Sequence, residues 1–207
     1  YMDFIINSLF EANKYFNDQE PWKKKSDLPR LNTIIYVALE IIRKISIMLE
    51  ECDLKYNVKP INITKDEQFD KEFLKLSPNN KIPAIYDHDT NISMMESGAI
   101  LIYLSEKTKM FMPKSREETC IRDEWLMFQM ASLGPMLGQV HHFIKFNKGK
   151  APYAEERYYY EALRLYGVLD KRLALSRHIA SEDYGIADIA SWPWISRFEW
   201  QNIDLNK

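Results

Sequence analysis

The tightest constraint on this chain is the run Ser77-Pro78-Asn79-Asn80-Lys81-Ile82-Pro83-Ala84-Ile85, followed at a short distance by Met95-Glu96-Ser97-Gly98-Ala99. A proline entering a β-type stretch holds the residue before it in extended backbone. An acid and a hydroxyl ahead of an apolar periodic run mark a helix start. A cis bond before Pro83 would turn the N–H and C=O of Ile82 into a groove, where an extended peptide pairs with them as an added strand would. The amine of such a ligand would meet Glu96, and its carboxylate would meet Ser97 and the free N–H groups of the following helix. Each piece alone also has a purely structural reading, as an extended dipeptide or a helix cap. Their order and spacing favour a ligand.

Bulk composition narrows the alternatives. The 207 residues are 46% hydrophobic and 13% aromatic, enough for a substantial core in one or two domains. Twenty-eight basic residues against 30 acidic ones leave no global field to attract nucleic acid or an anionic membrane. Cys52 and Cys120 are far apart and belong to no CxxC or metal-spaced cluster, which points to a reduced, cytoplasmic protein. No apolar run approaches the roughly 20 residues needed to span a bilayer, and no basic-then-apolar leader opens the chain. Tyr1 at one end and Lys207 at the other suggest truncation at both.

Apolar spacing predicts helices over residues 3 to 16 and 32 to 52, joined by a polar connection at 23 to 30. Tyr56 to Ile63 alternates as a half-buried strand interrupted at Pro60. A short helix over Glu67 to Leu76, strands at Ala84 to Asp87 and Ile92 to Met95, and a helix from Glu96 to Lys109 follow. Phe111-Met112-Pro113 is the best domain boundary. Beyond it the pattern is all helical: Ser115 to Phe146, bent near Pro135, then Ala154 to Leu175 and Ile186 to Arg197. The paired His141-His142 invites a metal reading, but adjacent helical residues point apart and no acid or thiol cluster accompanies them, so no metal is expected.

Residues 44 to 205 resemble the glutathione transferase superfamily, specifically the bacterial nu-class group related to disulfide-bond reductases. The resemblance rests on Gln68-Phe69, Ser77 through Ile85, Glu96 through Ile100, Leu133-Gly134-Pro135-Met136-Leu137-Gly138-Gln139, Tyr153, and Glu156-Arg157-Tyr158. It implies a thioredoxin-like domain over 44 to 110 and a truncated helical domain over 114 to 207. Glutathione is the implied cosubstrate, gripped by Gln68, Lys81, Ile82, Pro83, Glu96, Ser97 and Arg157. Implied too are a small electrophile or disulfide as acceptor, and a homodimer. Tyr184 to Ala190 resembles the family's late capping box and hydrophobic staple, with Asp188 at N3 and Tyr184 placed to pack on Ile189. Gly185 stands where the family has Ser or Thr, a weaker but tolerable cap. Val140 stands where close relatives carry Asn.

The front end departs from that pattern. The family opens with a strand and a Thr-Pro-Asn-Gly type loop that hydrogen-bonds the glutathione sulfur. Here Lys44 to Glu51 looks like the first family helix, and helix precedes it. No catalytic residue carries over, the thioredoxin-like domain is incomplete, and impaired catalysis is expected. Residues 1 to about 49 instead resemble the end of the anticodon-binding domain of methionyl-tRNA synthetase, through Ala12-Asn13-Lys14-Tyr15, Glu20-Pro21-Trp22-Lys23 and Leu31 to Arg43. That implies a fusion with a seam inside Lys44 to Leu49 and a helical segment over 1 to 43. The alternatives to a glutathione-dependent enzyme are a noncatalytic assembly module and a tRNA-binding remnant.

Overall fold

The computed structural model describes residues 42–205. The helix expected over 3 to 16, the connection at 23 to 30 and the first part of the long helix lie outside the described residues. Helix α1 occupies residues 42 to 51. Ile45, Met48 and the following Cys52 recur at three- and four-residue spacing, so they share one face and are buried together.

Two 3₁₀ turns, Ile63–Lys65 and Glu67–Phe69, lead to α2 (Lys71–Leu76). One helix over Glu67 to Leu76 is the sequence expectation. Asp70 divides it, because this residue leaves helical geometry and its carboxylate accepts the Glu72 N–H at 2.8 Å as an N-cap. Strands β1 (Ala84–Asp87) and β2 (Ile92–Met95) form an antiparallel hairpin, with Ala84 opposite Met95 and Asp87 opposite Ile92. Helix α3 (Ser97–Thr108) follows directly.

The strand expected over Tyr56 to Ile63 does not form. Residues 54 to 62 belong to no element, and Val58 is 75% exposed. In a thioredoxin-like sheet that strand reaches β1 through an intervening one, and the sheet among the described residues holds β1 and β2 alone. The alternation at Val58 and Ile61 therefore has no ladder to join among the described residues, and an isolated extended segment is not stable on its own.

The second domain is helical: α4 (Arg116–Phe128), α5 (Gly134–Val140), α6 (Pro152–Leu173), α7 (Ile186–Ile195) and a 3₁₀ turn at Phe198–Gln201. The expected long helix from Ser115 to Phe146 is a continuous run in which π-type turns at Gln129–Leu133 and His141–Phe146 flank α5. The Gly134 N–H reaches back five residues to the Gln129 carbonyl. The widened turn receives Pro135 at the start of α5, where its missing donor is tolerated. Ahead of α7, Asp188 makes half of the expected capping box, its Oδ2 accepting the Gly185 N–H at 3.0 Å while Oδ1 accepts that of Ile179 at 2.9 Å. The other half has no donor-matching side chain, since residue 185 is glycine. Tyr184 packs edge-on against Phe111, with ring centroids 5.8 Å apart. No helix among the described residues is long and apolar enough to cross a membrane.

Two apolar clusters result. One lies within the helical domain, where Leu133, Leu137 and Val140 meet Leu165, Leu169 and Trp194. The other joins the domains: Ile45 and Met48 of α1 and Ile100, Leu101 and Leu104 of α3 pack against Leu126, Ile186 and Ile189. The domain seam is thus a continuous core, and it fixes the start of α3 against the helical run.

Candidate functional site

The hairpin register builds the site. Because Ala84 pairs with Met95, the residues just before β1 and just after β2 emerge side by side. Ile82-Pro83 and Glu96-Ser97 are therefore neighbours at one end of the hairpin, and the Ile82–Pro83 bond is cis.

Ser77 holds the approach to this end. It is fully buried, and its hydroxyl donates to the Lys81 carbonyl at 2.7 Å while accepting the Lys81 N–H at 3.3 Å. The Asn80 N–H closes the turn on the Ser77 carbonyl at 2.8 Å, with Asn80 in left-handed backbone at φ 48°. With Lys81 satisfied in this way, Ile82 follows with its own N–H and C=O bonded to nothing among the described residues. The opposite end of the hairpin is clamped to α3, since Asp87 accepts from Lys107 Nζ at 2.6 Å and from the Tyr103 hydroxyl at 2.5 Å. Those two donors hold the Asp87 carboxyl well below the usual carboxylate range.

Glu96 precedes α3 with φ 68° and ψ 112°, left-handed backbone that a non-glycine residue rarely adopts. Its side chain is exposed. Ser97 is buried at the first position of the helix, its hydroxyl 3.5 Å from the Met130 sulfur. The first intrahelical bond runs from the Ile100 N–H to the Glu96 carbonyl at 2.9 Å, which leaves the N–H groups of Ser97, Gly98 and Ala99 without intrahelical partners. Gly98 allows this close approach, because a Cβ there would lie 3.2 Å from Met130 Cγ.

Lys81, Ile82, Pro83, Glu96 and Ser97 are thus brought together. Lys81 presents an exposed ammonium with no ion pair among the described residues. Gln68 sits on the 3₁₀ turn that packs on α2, with its Oε1 buried and unpartnered among the described residues and its amide nitrogen 3.5 Å from Asp66. Arg157 lies exposed on α6, where Glu161 is its electrostatic neighbour, and among the described residues it has no hydrogen bond or ion pair to the hairpin end.

Ser77 lies inside the sequence motif, although its double hydrogen bond to the Lys81 backbone is not announced there. Lys44 on α1, 3% exposed, escapes the sequence pattern: its Nζ donates to Gln129 Oε1 at 2.9 Å and lies 3.9 Å from the Met130 sulfur. Burial pushes its ammonium down to about 7. Gly134 makes room for this partner, since a Cβ there would come within 2.8 Å of Gln129 Nε2. The partners are 85 residues apart, so no local signal announces them. His141, for its part, is buried beside Trp194 and Trp200 with its Nε2 3.0 Å from the Gln201 amide. Among the described residues no group of three His, Cys, Asp or Glu is placed to hold a metal ion.

Comparison with known proteins agrees with this architecture. The N-terminal domain of glutathione S-transferase matches residues 34–106. The disulfide-bond oxidoreductase YfcG of Escherichia coli K12 is 48% identical over 167 residues, covering 78% of each chain. The disulfide-bond oxidoreductase YghU of the same organism is 40% identical over 161 residues, 73% of this chain and 56% of that one, so the chain spans about half of YghU. Among solved structures, a Pseudomonas putida glutathione transferase with one glutathione disulfide per subunit superposes with a TM-score of 0.73 at 40% identity, over 79% of this chain and 74% of that chain. A Pseudomonas fluorescens family member with two glutathione molecules gives 0.72 at 42%, over 79% and 75%. The chain belongs to the glutathione transferase superfamily. The domain match begins at residue 34, inside the stretch that resembles methionyl-tRNA synthetase, and none of these relatives supports the synthetase resemblance.

Proposed function

We propose that the end of the hairpin binds glutathione in extended form, for use in glutathione conjugation or in glutathione-dependent reduction of a disulfide or peroxide. The observation that carries this reading is the pair of backbone groups on Ile82 that are unbonded among the described residues, set beside a helix start whose first three N–H groups likewise lack partners there. In this assignment the Ile82 backbone pairs with the cysteinyl residue, Glu96 takes the γ-glutamyl ammonium, and Ser97 with the α3 N–H groups takes its carboxylate. Lys81 meets the remaining carboxylate end and Gln68 adds to the grip; Arg157, the further residue implied by the family resemblance, has no hydrogen bond or ion pair to the hairpin end among the described residues and would have to reach the ligand from α6. The buried, unpartnered Oε1 of Gln68 favours a missing donor at that position. The glutathione bound to the two Pseudomonas relatives supports the same ligand.

The chemistry is thiol transfer. The glutathione thiolate attacks one sulfur of a disulfide, the S–S bond breaks, a mixed disulfide forms and the other sulfur leaves as a thiolate; a second glutathione thiolate then resolves the mixed disulfide and releases glutathione disulfide. With an electrophile, a carbon–sulfur bond forms as a leaving group departs with the electron pair of its bond to that carbon. A free thiol with a pKa near 8.5 is mostly protonated at neutral pH, so turnover needs a donor aimed at the sulfur. The Thr-Pro-Asn-Gly type loop that supplies it in the family is missing from the sequence, and low activity follows. A cytoplasmic homodimer is part of this reading. Retention on immobilised glutathione with elution by the free tripeptide is the expected behaviour; passage straight through the column would contradict the assignment.

A further inference from the structure

Lys44 is a feature near this site that the ligand reading leaves unused. Its ammonium is buried, yet among the described residues it forms no ion pair. Among the described residues only one of its three N–H donors meets a full-strength acceptor, the side-chain oxygen Oε1 of Gln129, and the thioether it also faces is a weak one. An unpaired buried cation is costly, and proteins tolerate one where an anion completes the pair. Glu96, the acid closest to the helix start, is exposed and makes no bond to it. What does lie beyond Lys44 is Ser97, because one sulfur, that of Met130, stands 3.9 Å from Lys44 Nζ and 3.5 Å from Ser97 Oγ.

We propose that Lys44 is a positioning residue for the anionic end of the ligand, its buried charge acting through Met130 on a carboxylate held at Ser97 and the first turn of α3. This rests on the glutathione reading and adds a specificity to it: the site selects a ligand whose α-amino acid end carries a full negative charge. The helix dipole contributes roughly half a charge there, and Lys44, in its protonated form, adds a further positive charge behind it in a poorly screened interior. Burial that lowers the ammonium pKa is consistent with a cation lacking its anion when the site is empty.

The test is calorimetric titration of the full chain with two ligands, glutathione and the analogue whose γ-glutamyl α-carboxylate is a carboxamide. The wild-type chain is expected to prefer glutathione. In Lys44→Met that preference should fall roughly tenfold while affinity for the carboxamide stays within about twofold, as expected for loss of one through-space charge. Lys44→Arg, which keeps the charge, should keep the preference. Lys44→Gln is neutral but still able to bond Gln129, and it should behave as Lys44→Met does, so the comparison survives if the apolar variant fails to fold. Equal loss of both ligands in the neutral variants would mean a merely structural role, and an unchanged preference would mean no role; either overturns the inference while leaving the glutathione site standing. If the wild-type chain binds neither ligand, both readings fall.

Discussion

Ser77 and Glu96 illustrate how single residues set the geometry of the hairpin end. The Ser77 hydroxyl serves both backbone groups of Lys81, so Ser77→Ala leaves a donor and an acceptor without partners. It should destabilise the protein by about 2 kcal/mol at roughly 1 kcal/mol per bond, read as a lower urea midpoint at constant slope. Glu96 holds a left-handed backbone at φ 68°, a conformation costing on the order of 1 kcal/mol that glycine would not incur. Glu96→Gly should therefore raise stability while weakening glutathione, a combination expected only where strain serves a site. Glu96→Ala and Ser97→Ala should each weaken glutathione by about 1.5–3 kcal/mol, roughly ten- to a hundredfold, through loss of a charge-assisted hydrogen bond. Unchanged calorimetric affinity in both would remove them from the site.

Among the elements, the π-type turn His141–Phe146 carries a pH liability. His141 is fully buried against two tryptophan rings, and burial pushes its imidazole down to about 4 from an ordinary value near 6.5. Between those values the unfolded chain binds a proton that the folded chain refuses, so stability should fall as pH drops from about 6.5 through 4. The full loss is on the order of 3 kcal/mol. His141→Gln, neutral at every pH, should flatten that part of the profile in pH-dependent thermal melts; an unaltered acid slope would place its origin elsewhere. Short elements with their own punctuation were legible in sequence: β1 behind Pro83, β2 behind the turn at 88 to 91, and α3 behind Glu96. Alternation over Tyr56 to Ile63 reports a face and says nothing of whether a neighbour exists to pair with it, and the strand it predicts does not form. The π-type turns were invisible because one extra residue per turn barely disturbs apolar periodicity over five or six positions.

At the scale of the whole molecule, two apolar clusters fix the helical domain and its seam with α1 and α3, while the sheet among the described residues has only two strands. The cluster at the seam holds the start of α3 firmly, whereas among the described residues no strand pairs with the outer edge of β1. Replacing residues 1 to 43 by a strand and a Thr-Pro-Asn-Gly type loop should raise both thermal stability and disulfide-reduction turnover, since one insertion fills the sheet and rebuilds the thiol donor. The candidate site divided along the same line in sequence. Residues 77 to 85 and 96 to 98 were readable as a local motif, whereas Lys44 and Gln129, which meet across the seam, had no local mark. The central claim is that glutathione lies along Ile82 and ends at the first turn of α3. The most direct measurement is amide chemical-shift mapping of the uniformly ¹⁵N-labelled chain on titration with reduced glutathione. Saturable shifts at Ile82, Ser97, Gly98 and Ala99, moving together with one dissociation constant, are the predicted result. Shifts confined to other surfaces, or none at millimolar ligand, would contradict it.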